Sequence, residues 1–215
     1  MCIRDRNRPN INTSYIEKEN LPTAFNFIRE KVEAGGQTII VYPLINESEK
    51  QDLSAAVESY EYLRDNIFPD LTVGLMHGKL EDESKNLEMN NFMNGDIDIL
   101  VSTTVVEVGI DNPNVNVMLI NNSERFGLSQ LHQLRGRVGR GTIESYCLLC
   151  SDSESPKTKE RLSIIVNSRN GFEIADEDLK LRGPGEFFGE RQSGFVKFKI
   201  ADLITDGPII RDARM

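Results

Sequence analysis

Apolar positions along this chain recur at two spacings. In residues 22–34, Phe25, Ile28 and Val32 share one helical face, and Gly35-Gly36 ends the run. Residues 37–42 (Gln-Thr-Ile-Ile-Val-Tyr) are instead continuously apolar and β-branched, as in a parallel strand covered on both faces. The alternation then repeats. Helices are predicted over 52–66 and 81–93, the second closed by Asn94-Gly95, and strands over 71–75, 97–102, 116–120 and 145–150. Strands alternating with helices predict an α/β fold, a parallel sheet flanked by helices and joined by right-handed crossovers.

Beyond Ser151 the character changes. Residues 156–168 and 172–182 read as two helices joined by Asn170-Gly171, a helical hairpin, and Gly183-Pro184-Gly185 then opens an irregular segment through Phe195. The predicted organisation is a leader at 1–7 that fits nothing after it, an α/β domain at 8–152, and a hairpin with an irregular loop at 153–215.

Composition narrows the classes. A hydrophobic fraction of 39% over 215 residues suffices for one full α/β domain and a small appendage. The start, Met-Cys-Ile-Arg-Asp-Arg, lacks the apolar stretch of a secretory signal, and no apolar run approaches membrane-spanning length. The default setting is the cytoplasm. Three cysteines argue against a disulfide scaffold. Cys147 and Cys150 form a C-x-x-C, but inside a predicted strand they point to opposite faces, and no second pair completes a zinc site. They read as small core residues, and no metal site is expected.

The net charge of −9 counts against nucleic-acid binding. Residues 157–199, however, hold nine Lys/Arg and seven Asp/Glu, so DNA contact belongs in that segment and in a few loops.

The densest chemistry lies in Gln130-Leu-His-Gln-Leu-Arg-Gly-Arg-Val-Gly-Arg140. Its first five residues are an amphipathic segment able to start a helix. Arg137 and Arg140 follow among Gly136, Gly139 and Gly141. Planar guanidinium groups on a rigid turn suit charge that spreads over phosphate oxygens during phosphoryl transfer; the plain alternative is an arginine-rich surface loop. After the strand at 97–102 comes Thr103-Thr104-Val-Val-Glu107-Val-Gly109-Ile-Asp111, at the strand end where ligands bind in such sheets. Thr103 or Thr104 could equally cap a helix, and a capped N-terminus can itself hold phosphate. The stretch from Gly74 to Lys79 is no phosphate loop: it is one residue short between glycines, and Leu80 replaces the magnesium-holding hydroxyl. His77 and His132 read as packing or hydrogen-bonding residues.

Together these motifs resemble superfamily 2 helicases, with the arginine turn as the sixth motif and 103–111 as the fifth. The flank Phe126-Gly-Leu-Ser-Gln-Leu-His-Gln is similar to the RecG and Mfd translocases. Tyr42-Pro-Leu-Ile-Asn46-Glu47-Ser-Glu49 resembles a RecG segment, with Asn46 replacing Glu, and Met76-His77-Gly78-Lys79 resembles the family's Leu-His-Gly. Asn112 departs from the usual RecG Val. Asp178-Leu-Lys-Leu-Arg182-Gly-Pro-Gly-Glu-Phe-Phe-Gly-Glu-Arg191-Gln192-Ser-Gly194 is closer to RecG than to Mfd, which prefers Ala at the position of Pro184. The resemblance covers residues 8–214.

That resemblance implies a RecA-like second motor domain with a translocation motif, a piece of an ATP-dependent DNA helicase that remodels stalled replication forks and branched recombination intermediates. Arg137 and Arg140 would be catalytic, reaching across a cleft to ATP. Gln133, Glu107, Gly109 and Asp111 would bind or couple to nucleotide. Thr103 and Thr104 would approach the DNA backbone, with Arg161, Arg169, Arg182 and Gln192 in hairpin coupling or DNA contact; the three arginines could instead be solvated or ion-paired within the hairpin. ATP with Mg2+ would be held mostly by a first motor domain, absent from this chain together with a wedge domain. The partners implied are replication forks, Holliday junctions and single-stranded-DNA-binding protein, for a bacterial, cytoplasmic monomer with no membrane association. An Mfd-like transcription-repair translocase, and a non-catalytic DNA- or partner-binding module, are the competing readings.

Overall fold

The computed structural model describes residues 10–43, 49–103, 112–141 and 143–182, without the side chains of 49–53 and 182. The elements run β1 (Ile11–Glu17), α1 (Leu21–Glu33), β2 (Gln37–Tyr42), α2 (Glu49–Tyr62), β3 (Val73–Met76), α3 (Asp82–Asn94), β4 (Ile99–Thr103), β5 (Val115–Ile120), α4 (Leu128–Arg135), β6 (Ser145–Ser151), α5 (Pro156–Asn167) and α6 (Gly171–Arg182). Six strands form one sheet in the order β1-β6-β5-β2-β4-β3, and every pairing is parallel. The predicted α/β fold is the observed one. No described helix is long and apolar enough to cross a membrane.

Parallel strands covered on both faces bury successive residues into opposite layers. Ile39, Val41, Leu100, Met118, Ile120, Cys147 and Leu149 point into one layer, under α3, α4, α5 and α6. Ile40, Ile99, Val101, Val117, Leu119, Leu148 and Cys150 point into the other, under α1 and the end of α2. Cys147 and Cys150 thus fall in different layers as their spacing predicts. Burial pushes the Cys147 thiol up to about 12 and that of Cys150 up to about 11, which leaves neither a ready thiolate.

β1 was not expected from the sequence. Among the described residues it is an edge strand pairing only with β6, half-covered, with Ile11, Tyr15 and Ile16 as its apolar residues, so it shows neither a continuous run nor clean alternation. The predicted helix at 52–66 begins earlier, at Glu49, and its α-helical part ends at Tyr62. Residues Leu63–Ile67 widen into a π turn closed by Phe68 N–H donating to the Leu63 carbonyl at 2.7 Å, which seats Leu63 and Phe68 in the core. β3 and β4 lie one or two residues later than predicted.

The hairpin shares the sheet's core. Leu162 and Ile165 of α5 and Ile174 of α6 pack with Leu128, Leu131 and Leu134 of α4 over Cys147 and Leu149. Two exposed ion pairs run beside this seam, Lys159 to Glu17 at 2.7 Å and Lys18 to Asp152 at 2.6 Å.

Candidate functional site

The site grows from α4 and the turn that leaves it. Gln130 accepts the Gly127 backbone N–H at 3.0 Å, closing the helix start, and Leu128, Leu131 and Leu134 face the core. Gln133 is on the exposed side. After Arg135 the winding continues, with Arg137 N–H on the Leu134 carbonyl at 2.9 Å and Val138 N–H on the Arg135 carbonyl at 3.3 Å. Val138 is fully buried between Arg137 and Arg140, both half-buried.

Two glycines hold this turn in place. Gly139 has φ +74, and a Cβ there would lie 3.0 Å from Ile11 Cγ1 at the start of β1. A Cβ on Gly141 would lie 2.3 Å from the Pro113 carbonyl oxygen, so this backbone crosses another at a distance only glycine permits. Pro113 follows Asp111 by two residues. Pro113 and Gly141 therefore meet at the amino end of β5, with Arg140 between two pinned glycines.

Asn112 anchors the same corner. Its Nδ2 donates to Gln37 Oε1 at 2.9 Å, while Gln37 Nε2 donates to the carbonyls of Phe92 at 2.7 Å and Ile97 at 2.6 Å. Asn112 Oδ1 accepts the Asn114 N–H at 3.0 Å. The buried Asn112 side chain is thus matched by a buried amide partner.

The opposite, carboxyl edge of the sheet carries different chemistry. Thr103 is fully buried, and its Oγ1 has no partner among the described residues. A cavity of about 160 Å³ lies beyond β2 and β5, lined by Tyr42, Pro43, Ser59, Asn122 and Arg125 among others. Asn122 is left-handed there, with φ +46. His77, just after β3, has Nδ1 buried without a partner among the described residues, and burial, then Lys85 and Lys79, lowers its pKa. Among the described residues no group of three His, Cys, Asp or Glu could hold a metal ion.

Residues 19–142, more than half of the chain, match the helicase conserved C-terminal domain. The chain belongs to that family. Residues 168–215 match the C-terminal part of domain 3 of the ATP-dependent DNA helicase RecG, in agreement with the sequence resemblance. The RecG helicase of Thermotoga maritima is 51% identical over 207 residues, 96% of this chain and 26% of the relative; that of Bacillus subtilis is 45% identical over 207 residues, 96% and 30%. The chain therefore spans about a quarter to a third of the length of these relatives. A solved structure of RecG bound to a three-way DNA junction superposes with a TM-score of 0.73 at 47% identity, covering 95% of this chain and 26% of that one. Domain 2 of the DEAD-box helicase Mss116p bound to an RNA duplex shares the fold alone, at a TM-score of 0.55 and 21% identity over 80% of this chain and 69% of that one.

Two arginines of the hairpin, Arg161 and Arg169, turn towards the sheet. Arg161 donates from Nη2 to the Glu124 carbonyl in the 3-10 turn Ser123–Arg125, and Arg169 donates from Nη1 to Asn10 Oδ1 just before β1. Among the described residues neither is ion-paired within the hairpin. Arg182 ends α6, and its side chain, like Thr104, Glu107, Gly109, Asp111 and Gln192, lies outside what is described.

Sequence reasoning overlooked Arg135. It is 4% exposed, and Nη1 donates to the carbonyls of Ile165 at 2.5 Å and Ser168 at 2.9 Å, while Nη2 meets His132 Nδ1 at 2.9 Å. The signal was available: Arg135 follows Leu131 by four residues and so continues the buried stripe of α4.

Proposed function

We propose that this chain is the second motor domain and transmission hairpin of an ATP-dependent double-stranded DNA translocase that remodels stalled replication forks and branched recombination intermediates, including Holliday junctions. The observation that carries this reading is the pinned turn. Arg137 and Arg140 extend from backbone fixed by Val138, by Gly139 against Ile11 and by Gly141 against Pro113. Donors whose positions are set before the reaction stabilise developing phosphoryl charge without reorganising, the role that arginine fingers fill.

A first motor domain would form the other wall of the cleft, with the glycine-rich phosphate loop, its lysine and the ligands of Mg2+. Gln133, Glu107, Gly109 and Asp111 would report nucleotide state on this side. The burial of Thr103 gives it a supporting part beneath the DNA backbone and leaves the direct approach to Thr104. Arg161, Arg169 and Arg182 would couple the hairpin to the motor, and Gln192 would pass the stroke to duplex DNA. A wedge domain would hold the junction, and single-stranded-DNA-binding protein would recruit the enzyme, a monomer in the bacterial cytoplasm. The match of residues 168–215 to RecG supports this reading over an Mfd-like translocase.

The test is ATP hydrolysis with forked DNA, by this chain alone and by the protein carrying both motor domains. Hydrolysis only in the second is expected, because these arginines supply one part of the charge stabilisation. DNA-stimulated turnover by the chain alone, lost on Arg140→Ala, would contradict the assignment.

A further inference from the structure

The two ends of the sheet are guarded differently. At one end the hairpin reaches β1 and its approach, with Lys159 bonding Glu17 and Arg169 bonding Asn10. At the other, β3 is the outermost strand among the described residues and pairs only with β4. The run Leu71-Thr-Val-Gly-Leu-Met76 carries no charge and is largely apolar. An uncharged strand of this kind at a sheet edge is complementary to a second copy of itself.

The ladder fixes which amides face outward. The Thr72 carbonyl accepts the Asp98 and Ile99 N–H groups at 2.9 and 3.2 Å, so the backbone of Thr72 faces β4. In a parallel ladder the N–H and C=O of one residue face the same neighbour, and those of the next face the other way. Gly74 therefore faces β4, while Val73 and Leu75 face outward. The outward Leu75 N–H is occupied: it donates to Glu88 Oε1 at 3.0 Å, a carboxylate carried by α3. Gly74 makes the reach possible, because a Cβ there would lie 2.6 Å from the same oxygen. Lys85, the neighbouring cation on α3, bonds Asp82 at 3.3 Å and leaves Glu88 to the strand.

A carboxylate on an edge amide acts twice. It fills a donor that an incoming strand would use, and it sets negative charge where the same residue of a second copy would arrive. Like charges opposed across a strand pair destabilise it.

We propose, independently of the motor reading, that Glu88 is a latch that closes the outer edge of β3 against strand pairing with a second copy of the chain, and that Gly74 is small in order to admit it.

The test is sedimentation of the full-length protein carrying this domain, over a range of concentrations, beside melting curves and amide hydrogen exchange. The variants are Glu88→Leu, Glu88→Gln and Glu83→Leu. Glu88→Gln keeps an acceptor oxygen. Glu83, exposed in the first turn of the same helix, controls for one lost charge and one added apolar side chain. Glu88→Leu should self-associate as concentration rises, with exchange slowing at Val73 and Leu75 in the associated form. Glu88→Gln should associate far less, and Glu83→Leu should match the unsubstituted protein. Any of three results overturns the latch: Glu88→Leu no more associated than the unsubstituted protein, Glu83→Leu associating equally, or association that leaves exchange in β3 unchanged. An unprotected Leu75 amide in the unsubstituted protein overturns it as well. Should Glu88→Leu not fold, Glu88→Ser, too short to reach Leu75, is judged by the same outcomes.

Discussion

Asn112 and Gln37 stand seventy-five residues apart in sequence, yet the Asn112 amide donates to Gln37 Oε1 at 2.9 Å with both side chains buried. Gln37 also holds the carbonyls of Phe92 and Ile97, so one amide pair ties the start of β2, the end of α3 and the segment leading into β4. Replacing Asn112 by Val strands a buried acceptor on Gln37. We predict a loss of about 1–3 kcal/mol, read by urea unfolding. In a double-mutant cycle with Gln37→Leu the two effects should be strongly non-additive; simple additivity would show that the pair does not interact.

The glycines of the arginine turn should differ sharply in tolerance. A Cβ on Gly141 meets the Pro113 carbonyl oxygen at 2.3 Å, backbone against backbone, so Gly141→Ala must displace the turn. A destabilisation of about 1–3 kcal/mol is expected, with DNA-stimulated ATP hydrolysis lost in the full-length enzyme. Gly136→Ala is the control. Its φ of −67 suits alanine and its nearest atoms are 3.4 and 3.5 Å away, so it should be neutral or stabilise by up to about 1 kcal/mol. Melting curves of the two variants decide the matter.

The two strand cysteines give a pH dependence whose sign is fixed. Burial raises Cys147 to about 12 and Cys150 to about 11. In the unfolded chain both thiols lose their protons near pH 8.5. Between that value and about 11 the folded state binds more protons than the unfolded one, so stability should fall as pH rises through this window. The slope is about 1.4 kcal/mol per pH unit for each thiol, and these two contribute nothing below it. In a Cys2→Ser background, neither thiol should react with a thiol reagent at pH 8 until denaturant is added. Rapid labelling of the folded protein would contradict the burial.

The limits of the sequence follow from what each residue touches. Strands β2, buried but for Tyr42, and β5, buried throughout, announce themselves as apolar runs, and the arginine turn is legible because its glycines are spaced by backbone geometry. β1 escapes because an edge strand needs apolar residues on only part of its surface. Arg135 escapes because a charged residue in an amphipathic helix is read as solvent-facing, and only the carbonyls of Ile165 and Ser168, thirty or more residues on, explain its burial. Arg161 and Arg169 read equally as coupling or DNA-contact residues and as solvated or ion-paired ones, because Glu124 and Asn10 come into view only across the fold. The buried Asn112 likewise makes sense only beside Gln37.

Arg161 offers a test of the seam between hairpin and sheet. Its guanidinium satisfies the Glu124 carbonyl, so Arg161→Ala leaves that group with water as its alternative. A hydrogen bond from a charged donor contributes about 1.5–3 kcal/mol, and a loss at the lower end is expected because the residue is half-buried. Hydrogen exchange should quicken in α5 and in the turn Ser123–Arg125 and stay unchanged in α1 on the opposite face. Uniform acceleration across both faces would mean that the contact supports the whole fold and not this seam.

The central claim is that the turn from Gly136 to Gly141 presents arginines to a nucleotide. The most direct measurement is steady-state ATP hydrolysis and junction-DNA affinity, side by side, in the full-length helicase with Arg140→Ala. The account predicts a fall in hydrolysis of roughly 10³-fold or more, as for other arginine fingers, with junction affinity essentially unchanged. Hydrolysis and junction binding lost in parallel would make Arg140 a DNA contact and contradict it.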